Sequence, residues 1–165
     1  MIREISGDSD IRLIAQMAQE IWNEAFSGII TQEQINYMVD KYQSYRAMKD
    51  QIENQGYTYF IISKDGKDAG YCGVQVKEDN SLYLSKMYLL KEARGQRLFE
   101  QMTNHLIKLC RDKGISRIWL TVNKHNDRAI AAYIKNGYKN IRSQTTDIGN
   151  GFVMDDYVFE LNTQY

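Results

Sequence analysis

The chain has 165 residues, enough to bury a substantial core, and we expect a single domain over residues 1–165. Its 21 lysine and arginine residues balance 21 aspartate and glutamate residues, which argues against binding to nucleic acid or to an acidic membrane surface. No run of about 18 apolar residues is present, so no transmembrane helix is predicted.

The cysteines and the first residues suggest a cytoplasmic setting. Cys72 and Cys110 are too few for a disulfide framework, and neither has the spacing of a metal ligand, so we expect no metal. The segment from Met1 to Ile5 lacks the apolar region of a signal peptide and has the character of a first strand.

The next part of the chain has helical spacing. Apolar residues recur every three or four positions from Ile11 to Phe26, and Asp8 or Ser9 is suited to cap this helix. Two further helical stretches follow, one from Thr31 to Val39 and one over residues 45–55 that ends at Gly56.

An antiparallel meander of three strands is predicted next. The first two strands are joined by the hairpin signal of residues 64–67, and the last two by a turn over residues 78–80. The three strands are Tyr57–Ser63, Ala69–Val76 and Leu82–Leu89.

The turn Glu92–Arg97 feeds a long helix that we expect to end at Gly114. A turn of this kind directs backbone N–H groups and the positive end of a helix dipole at one spot, which suits an anion such as a pyrophosphate. A buried strand over Ile115–Val122 follows, and then a helix capped by Asn126 and ended by Gly137.

The last two strands, Tyr138–Thr146 and Phe152–Leu161, flank a hairpin signal at residues 147–151. The element order predicts a mixed α/β fold, with a mostly antiparallel sheet flanked by helices. No G-x-G-x-x-G motif follows a strand, which argues against a Rossmann fold.

The series from Leu82 to Tyr138 resembles the GNAT superfamily of acetyl-CoA dependent N-acetyltransferases, and the resemblance is strongest from Leu82 to Tyr157. The element order matches the GNAT acyl-CoA N-acyltransferase fold. The resemblance implies transfer of an acetyl group from acetyl-CoA to a primary amine of a small molecule or peptide, by direct attack and without an acyl-enzyme. Homodimers are common in the family.

The resemblance also implies a cofactor site. The family motif Q/R-x-x-G-x-G/A aligns on Arg94, and Arg97 and Phe99 stand where the family has small residues. The main-chain groups of Met87 and Leu89 are expected to contact pantetheine. Asn126 is expected near the thioester, although its role as a helix cap is an equal alternative. The expected cofactor contacts are Met87, Leu89, Arg94, Gly95, Gln96, Arg97, Leu98, Phe99, Asn126 and Tyr133.

Acetyl transfer needs an acid for the leaving thiolate and a base for the amine. Tyr133, two helical turns after Asn126, matches the tyrosine that the family places near the coenzyme A sulfur, and a core tyrosine is the alternative. Several GNAT enzymes place a glutamate on the fourth strand, where this chain has Ser85 or Lys86. Asp155 and Glu24 are therefore the candidate bases.

Two other functions stay open. The altered turn and the missing glutamate would fit a non-catalytic acyl-CoA binding or sensing protein on the same fold. If the turn no longer binds coenzyme A, the domain would serve protein interaction alone.

Overall fold

The computed structural model describes residues 1–164 and has the predicted order of elements. None of the helices in this range is long and apolar enough to cross a membrane. The elements are β1 (Ile2–Glu4), α1 (Asp8–Ala25), α2 (Gln32–Tyr42), α3 (Tyr45–Asn54), β2 (Tyr57–Lys64), β3 (Lys67–Val76), β4 (Leu82–Leu89), a 3₁₀ turn (Lys91–Ala93), α4 (Leu98–Lys113), β5 (Arg117–Asn123), α5 (Asp127–Lys135), β6 (Lys139–Gly149) and β7 (Phe152–Asn162).

The seven strands form one sheet in the order β1-β2-β3-β4-β5-β7-β6, and every neighbouring pair except β4–β5 is antiparallel. The parallel pair β4–β5 is joined only where Leu82 faces Ile118 and Tyr83 faces Trp119. Beyond Tyr83 the two strands separate, and a wedge opens in the middle of the sheet. The predicted mixed, mostly antiparallel α/β fold is confirmed.

Helices cover both faces of the sheet because its strands present apolar side chains on both sides. On one face, α4 contributes Met102 and Leu106 to a core that also includes Tyr133 of α5. On the other face, Ile14 of α1 and Met48 of α3 are fully buried in a second core. The wedge between β4 and β5 connects the two layers, which places it at the centre of the molecule.

The start of α1 differs from the prediction. The N-cap residue is Gly7, with φ of 81° and no side-chain cap, whereas Asp8 and Ser9 lie inside the first turn. The carboxylate of Asp10 accepts a hydrogen bond from the Ser6 N–H and is bound by Arg3 at 2.7 Å. The prediction of a cap at Asp8 or Ser9 was wrong, because Asp10, within the first turn of α1, accepts the hydrogen bond from the backbone in front of the helix.

Candidate active site

A cleft of about 620 Å³ occupies the wedge between β4 and β5. Its walls are the turn before α4, one side of α5, the facing sides of α1 and α2, and residues 154 and 156 of β7. This volume lies within the usual range of small-molecule sites. The cleft therefore has room for a ligand that enters between the two separated strands.

The turn before α4 leaves backbone donors free. Arg97 is the N-cap residue of α4 and provides no side-chain cap. The N–H groups of Leu98, Phe99 and Glu100 donate to no protein acceptor within residues 1–164, as expected for the first turn of an uncapped helix. These N–H groups and the helix dipole form a site for an anion at the edge of the cleft.

Arg97 has a left-handed backbone, with φ of 62° and ψ of 17°. This conformation costs roughly 1 kcal/mol in a residue with a Cβ, and glycine avoids the cost. The family places a small residue at this position, so Arg97 keeps the backbone shape of a glycine while adding a charged side chain at the cleft.

Arg94 fastens the turn to its surroundings. Its Nη2 donates to Glu24 Oε1 at 2.6 Å and to the Leu89 carbonyl at 3.2 Å, whereas its Nη1 is buried without a hydrogen-bond partner among the described residues. The hydrogen bond from Arg94 is the main cause that lowers the pKa of Glu24. Glu24 is thus held as a carboxylate by a guanidinium, which makes it a weak base.

Phe99 directs its side chain towards α5. Its ring meets the ring of Tyr133 edge-on, with 5.0 Å between the centroids. Both residues line the cleft. The larger side chain therefore supports Tyr133, and the backbone of the turn stays open to an anion.

The main chain of β4 presents unpaired groups to the cleft. The Leu90 N–H donates to the Ala69 carbonyl of β3 at 2.8 Å, so alternation directs the N–H groups of Leu89 and Met87 away from β3. That direction is the wedge, where β5 is no longer paired with β4. The side chains of Met87 and Leu89 themselves are buried in the core.

Asn126 caps α5, with its Oδ1 accepting a hydrogen bond from the Ala129 N–H at 3.3 Å. It also lines the cleft, and its side-chain amide nitrogen donates to no group within residues 1–164. The capping bond fixes the side chain, and the amide nitrogen stays available to a ligand.

Tyr133 is 7% exposed. Its ring packs edge-on against the rings of Phe99, Tyr138 and Phe159. Its hydroxyl has no hydrogen-bond partner among the described residues. Burial is the main cause that raises its pKa well above the ordinary value, with the phenols of Tyr138 and Tyr88 adding to the effect. The hydroxyl therefore stays protonated at neutral pH and can act as a donor in the cleft.

Asp155 and Asp156 have different surroundings. The side chain of Asp155 is 53% exposed and pairs with Lys124 at 3.0 Å, outside the cleft. Asp156 is 2% exposed and lines the cleft without a hydrogen-bond donor among residues 1–164. Burial and the charge of Asp155 raise the pKa of Asp156 to about 6, against the opposing effect of Lys124.

Sequence reasoning thus named one acid of the pair and missed the other. Strand alternation does put Asp155 on the face of Tyr157 and Phe159, but Asp155 is exposed to solvent on that face. Asp156 shares the opposite face with Met154, which packs against the core between the sheet and helices α1–α3. The sequence did contain a signal for Asp156: in the alternating pattern of β7 it lies on the same face as the apolar Met154 and Val158, which indicates a covered position.

Ser85 and Lys86 of β4 also have different surroundings. A bulge in the β3–β4 pairing falls at Ser85, which lines the cleft. Lys86 is 3% exposed and lies outside the cleft, under α2 and α3. Its ammonium donates to the Tyr42 carbonyl, to Gln51 Oε1 at 2.8 Å and to the Tyr59 hydroxyl at 2.5 Å.

The two ends of the cleft differ in charge. Four basic side chains line the end formed by the turn and α5, together with the exposed Glu100: they are Arg94, Arg97, Arg128 and Lys135. The end under α1 and α2 is aromatic and apolar, with Trp22 stacked on Phe26 at 4.2 Å and edge-on to Tyr88 at 5.7 Å. The basic end suits phosphate groups, and the apolar end suits the rest of a ligand.

The sequence and the fold are both similar to known acetyltransferases. The sequence model of the acetyltransferase (GNAT) family matches residues 15–138. An uncharacterized N-acetyltransferase of Mycobacterium bovis is 27% identical over 150 residues, covering 88% of this chain and 96% of that protein. A spermidine N(1)-acetyltransferase of Thermoplasma acidophilum is 25% identical over 157 residues, covering 93% of this chain and 94% of that protein.

Among solved structures, the PaiA N-acetyltransferase of Thermoplasma acidophilum in complex with coenzyme A has a TM-score of 0.81, with 22% identity and 98% of each chain covered. This structure shares the fold of the chain. The family match spans most of the sequence and includes the turn before α4 and all of α5, so the chain belongs to the acetyltransferase (GNAT) family.

Proposed function

We propose that the protein is an acetyl-CoA dependent N-acetyltransferase that acts on a primary amine in the central cleft. The observation that carries this proposal is the pairing of two unpartnered polar groups in one cleft, the Tyr133 hydroxyl and the Asp156 carboxylate. One is a protonated donor and the other a buried carboxylate, which are the acid and the base that the reaction needs.

The cofactor has a place at the basic end of the cleft. The free N–H groups of Leu98 to Glu100, together with Gly95 and Gln96 in the turn, are proposed to bind the pyrophosphate, with Arg97 adding a charge-assisted contact. The main-chain groups of Met87 and Leu89 would hold pantetheine as an extra strand beside β4. The PaiA structure, which contains coenzyme A, supports this use of the fold.

The acceptor enters as an ammonium and gives a proton to Asp156. The neutral nitrogen then attacks the thioester carbonyl, forming a C–N bond, while an N–H group of Leu89 or Met87 stabilises the oxyanion. The C–S bond breaks, and the departing thiolate takes the proton of the Tyr133 hydroxyl. The positively charged nitrogen of the new amide then gives a proton back to the Tyr133 oxygen. The net proton leaves through Asp156. The spermidine acetyltransferase relative supports an amine as the acceptor.

Asp156 replaces Asp155 and Glu24 as the proposed base. Asp155 pairs with Lys124 outside the cleft, and Glu24 is bound by Arg94. A base works best when its pKa is near the working pH, and the pKa of Asp156 is raised to about 6. In this proposal Asp155 tunes Asp156 through its charge, and Glu24 positions Arg94.

The test is steady-state acetylation of a panel of amines, with the N-acetyl product identified by mass spectrometry. Tyr133→Phe should lower kcat by about 10²-fold or more with little change in acetyl-CoA affinity. Tyr138→Phe is the matched control, since it removes a buried tyrosine hydroxyl that does not line the cleft. Tight acetyl-CoA binding with no acetylated product from any amine would instead favour the non-catalytic acyl-CoA binding or sensing protein.

A further inference from the structure

The apolar end of the cleft has a composition that selects among amines. Trp22 and Phe26 of α1, Met38 of α2 and Met154 of β7 line it, and Tyr88 stands against Trp22. These side chains belong to the core between the sheet and helices α1–α3, so the wall is fixed by packing. Gln34 is the polar side chain that α2 adds to this wall, which is otherwise apolar and suits an apolar or aromatic body better than a polar chain.

This end of the cleft contains one carboxylate. Among the described residues that line the cleft, the acids are Asp156 and Glu100, and Glu100 is exposed in the first turn of α4 at the basic end. Asp156 is nine-tenths buried or more and has no donor of its own, so an ammonium can pair with it. A second ammonium nearby would lose its water without a counter-charge, which is costly.

The same arrangement acts against a free carboxylate on the acceptor. The basic side chains that line the cleft belong to the turn and to α5, and within residues 1–164 none comes from α1, α2 or β7. The carboxylate of an amino acid bound through its α-amino group would lie beside Asp156 with no basic side chain of the cleft wall to neutralise it, and Lys124, whose charge acts on Asp156, is paired with Asp155 outside the cleft. Two neighbouring negative charges repel strongly in a buried site.

We infer that the acceptor is a small primary amine with a single positive charge on an apolar, preferably aromatic, body. Asp156 binds the ammonium, and the Trp22–Phe26 stack receives the body. Polyamines and free amino acids are poor substrates. This inference rests on the proposed acetyltransferase function, because it specifies the acceptor of the same reaction.

The test compares kcat/KM for three amines at fixed acetyl-CoA: phenethylamine with one charge, spermidine with three charges, and phenylalanine with a carboxylate. Phenethylamine should exceed both others by about 10-fold or more, since each unpaired buried charge costs more than 1.4 kcal/mol. If spermidine, phenylalanine or a peptide amine is acetylated as well as phenethylamine, the inference is overturned while the acetyltransferase function stands. If no amine is acetylated, both fail.

A substituted cleft gives a second readout. Met154→Glu places a carboxylate on the same face of β7 as Asp156, and should move the spermidine-to-phenethylamine ratio of kcat/KM at least about 10-fold towards spermidine. Val153→Glu is the matched control on the exposed face of the same strand and should leave the ratio unchanged. Circular dichroism and the unfolding midpoint establish that both variants fold. An unchanged ratio in folded Met154→Glu would contradict the assignment of this end of the cleft to the acceptor.

Discussion

The carboxylates of Asp155 and Asp156 lie on opposite faces of β7, one exposed and paired with Lys124, the other buried in the cleft. They are adjacent in the chain, and the negative charge of Asp155 makes the ionised form of Asp156 less favourable. The pair of acids is thus divided between a surface group and a buried group that faces the cleft.

The first prediction concerns pH. Because Asp156 must be ionised to accept a proton, the acidic limb of the pH–rate profile should show kcat/KM rising through about pH 6 and then levelling off. Asp156→Asn should lower kcat/KM by about 10²-fold or more and remove the limb. The measurement is a pH–rate profile of wild type and variant.

Variants of the neighbours supply the controls for that profile. Asp155→Asn should keep turnover and move the limb to lower pH, since the charge of Asp155 raises the pKa of Asp156. Lys124→Met should move the limb to higher pH, since the charge of Lys124 lowers that pKa. A limb that does not move in either variant would contradict the assignment to Asp156.

The second prediction concerns stability. Folding raises the pKa of Asp156 from 3.8 to about 6. The contribution of this group to the free energy of unfolding is therefore fully present below pH 3.8 and is lost as the pH rises through about 6. Asp156→Asn should therefore be more stable than wild type at pH 7.5, on the order of 2 kcal/mol, and the difference should shrink towards pH 4. Chemical denaturation at several pH values measures it. A variant that is less stable at pH 7.5 would contradict the burial of an unpaired carboxylate.

The third prediction concerns Arg97. Arg97→Gly relieves the left-handed backbone and should gain about 0.5–1 kcal/mol of stability. It should also bind acetyl-CoA several-fold more weakly, with a smaller dependence on salt, because a charge near phosphate is lost. Calorimetric titration at two ionic strengths measures both properties of the binding.

Arg97→Asn tests whether the added flexibility of glycine contributes to the weaker binding, because asparagine also lacks the charge but keeps a side chain that tolerates the left-handed backbone. Both variants should bind acetyl-CoA equally weakly. If Arg97→Gly binds as tightly as wild type at low salt, the guanidinium does not contact the cofactor.

The fourth prediction concerns Lys86, whose pKa burial lowers from 10.5 to about 7. Its contribution to folding is present above pH 10.5 and is lost as the pH falls through 7. Lys86→Met should therefore gain stability relative to wild type as the pH is lowered from 10 to 7. The Gln51 amide still donates to the Tyr42 carbonyl at 3.2 Å and accepts from the Tyr59 hydroxyl at 2.5 Å, so the variant keeps its local hydrogen bonds.

The exposed Lys139 supplies the comparison, and Lys139→Met should show no such trend with pH. A stability difference for Lys86→Met that is independent of pH would contradict an ammonium buried without a carboxylate. Turnover should be unchanged in Lys86→Met, because Lys86 lies outside the cleft.

Local sequence patterns predicted the elements well. The observed β4 has its predicted bounds, Leu82–Leu89, because its alternating side chains face two covered layers. Helix α5 follows its predicted cap at Asn126, and Gly137, with φ of 96°, follows its end. These features depend on neighbours within a few residues, so the sequence carries them directly.

The charges of the site depend on contacts that are distant in sequence, and could not be predicted. Glu24 and Arg94 are 70 positions apart, and their pairing decides that Glu24 is a weak base. Alternation separates Asp155 from Asp156, but only the packing of α1 and α2 decides which face is covered. The single domain, the cytoplasmic setting and the homodimer stay predictions.

Thermal unfolding with and without acetyl-CoA tests the central claim, that the cleft beside α4 binds this cofactor. At one hundred times its Kd, acetyl-CoA should add about 2.7 kcal/mol and raise the midpoint by about 5–10 °C. The rise should be smaller for Arg97→Asn at the same concentration. An unchanged midpoint at millimolar acetyl-CoA would contradict the cofactor site and, with it, the acetyltransferase function.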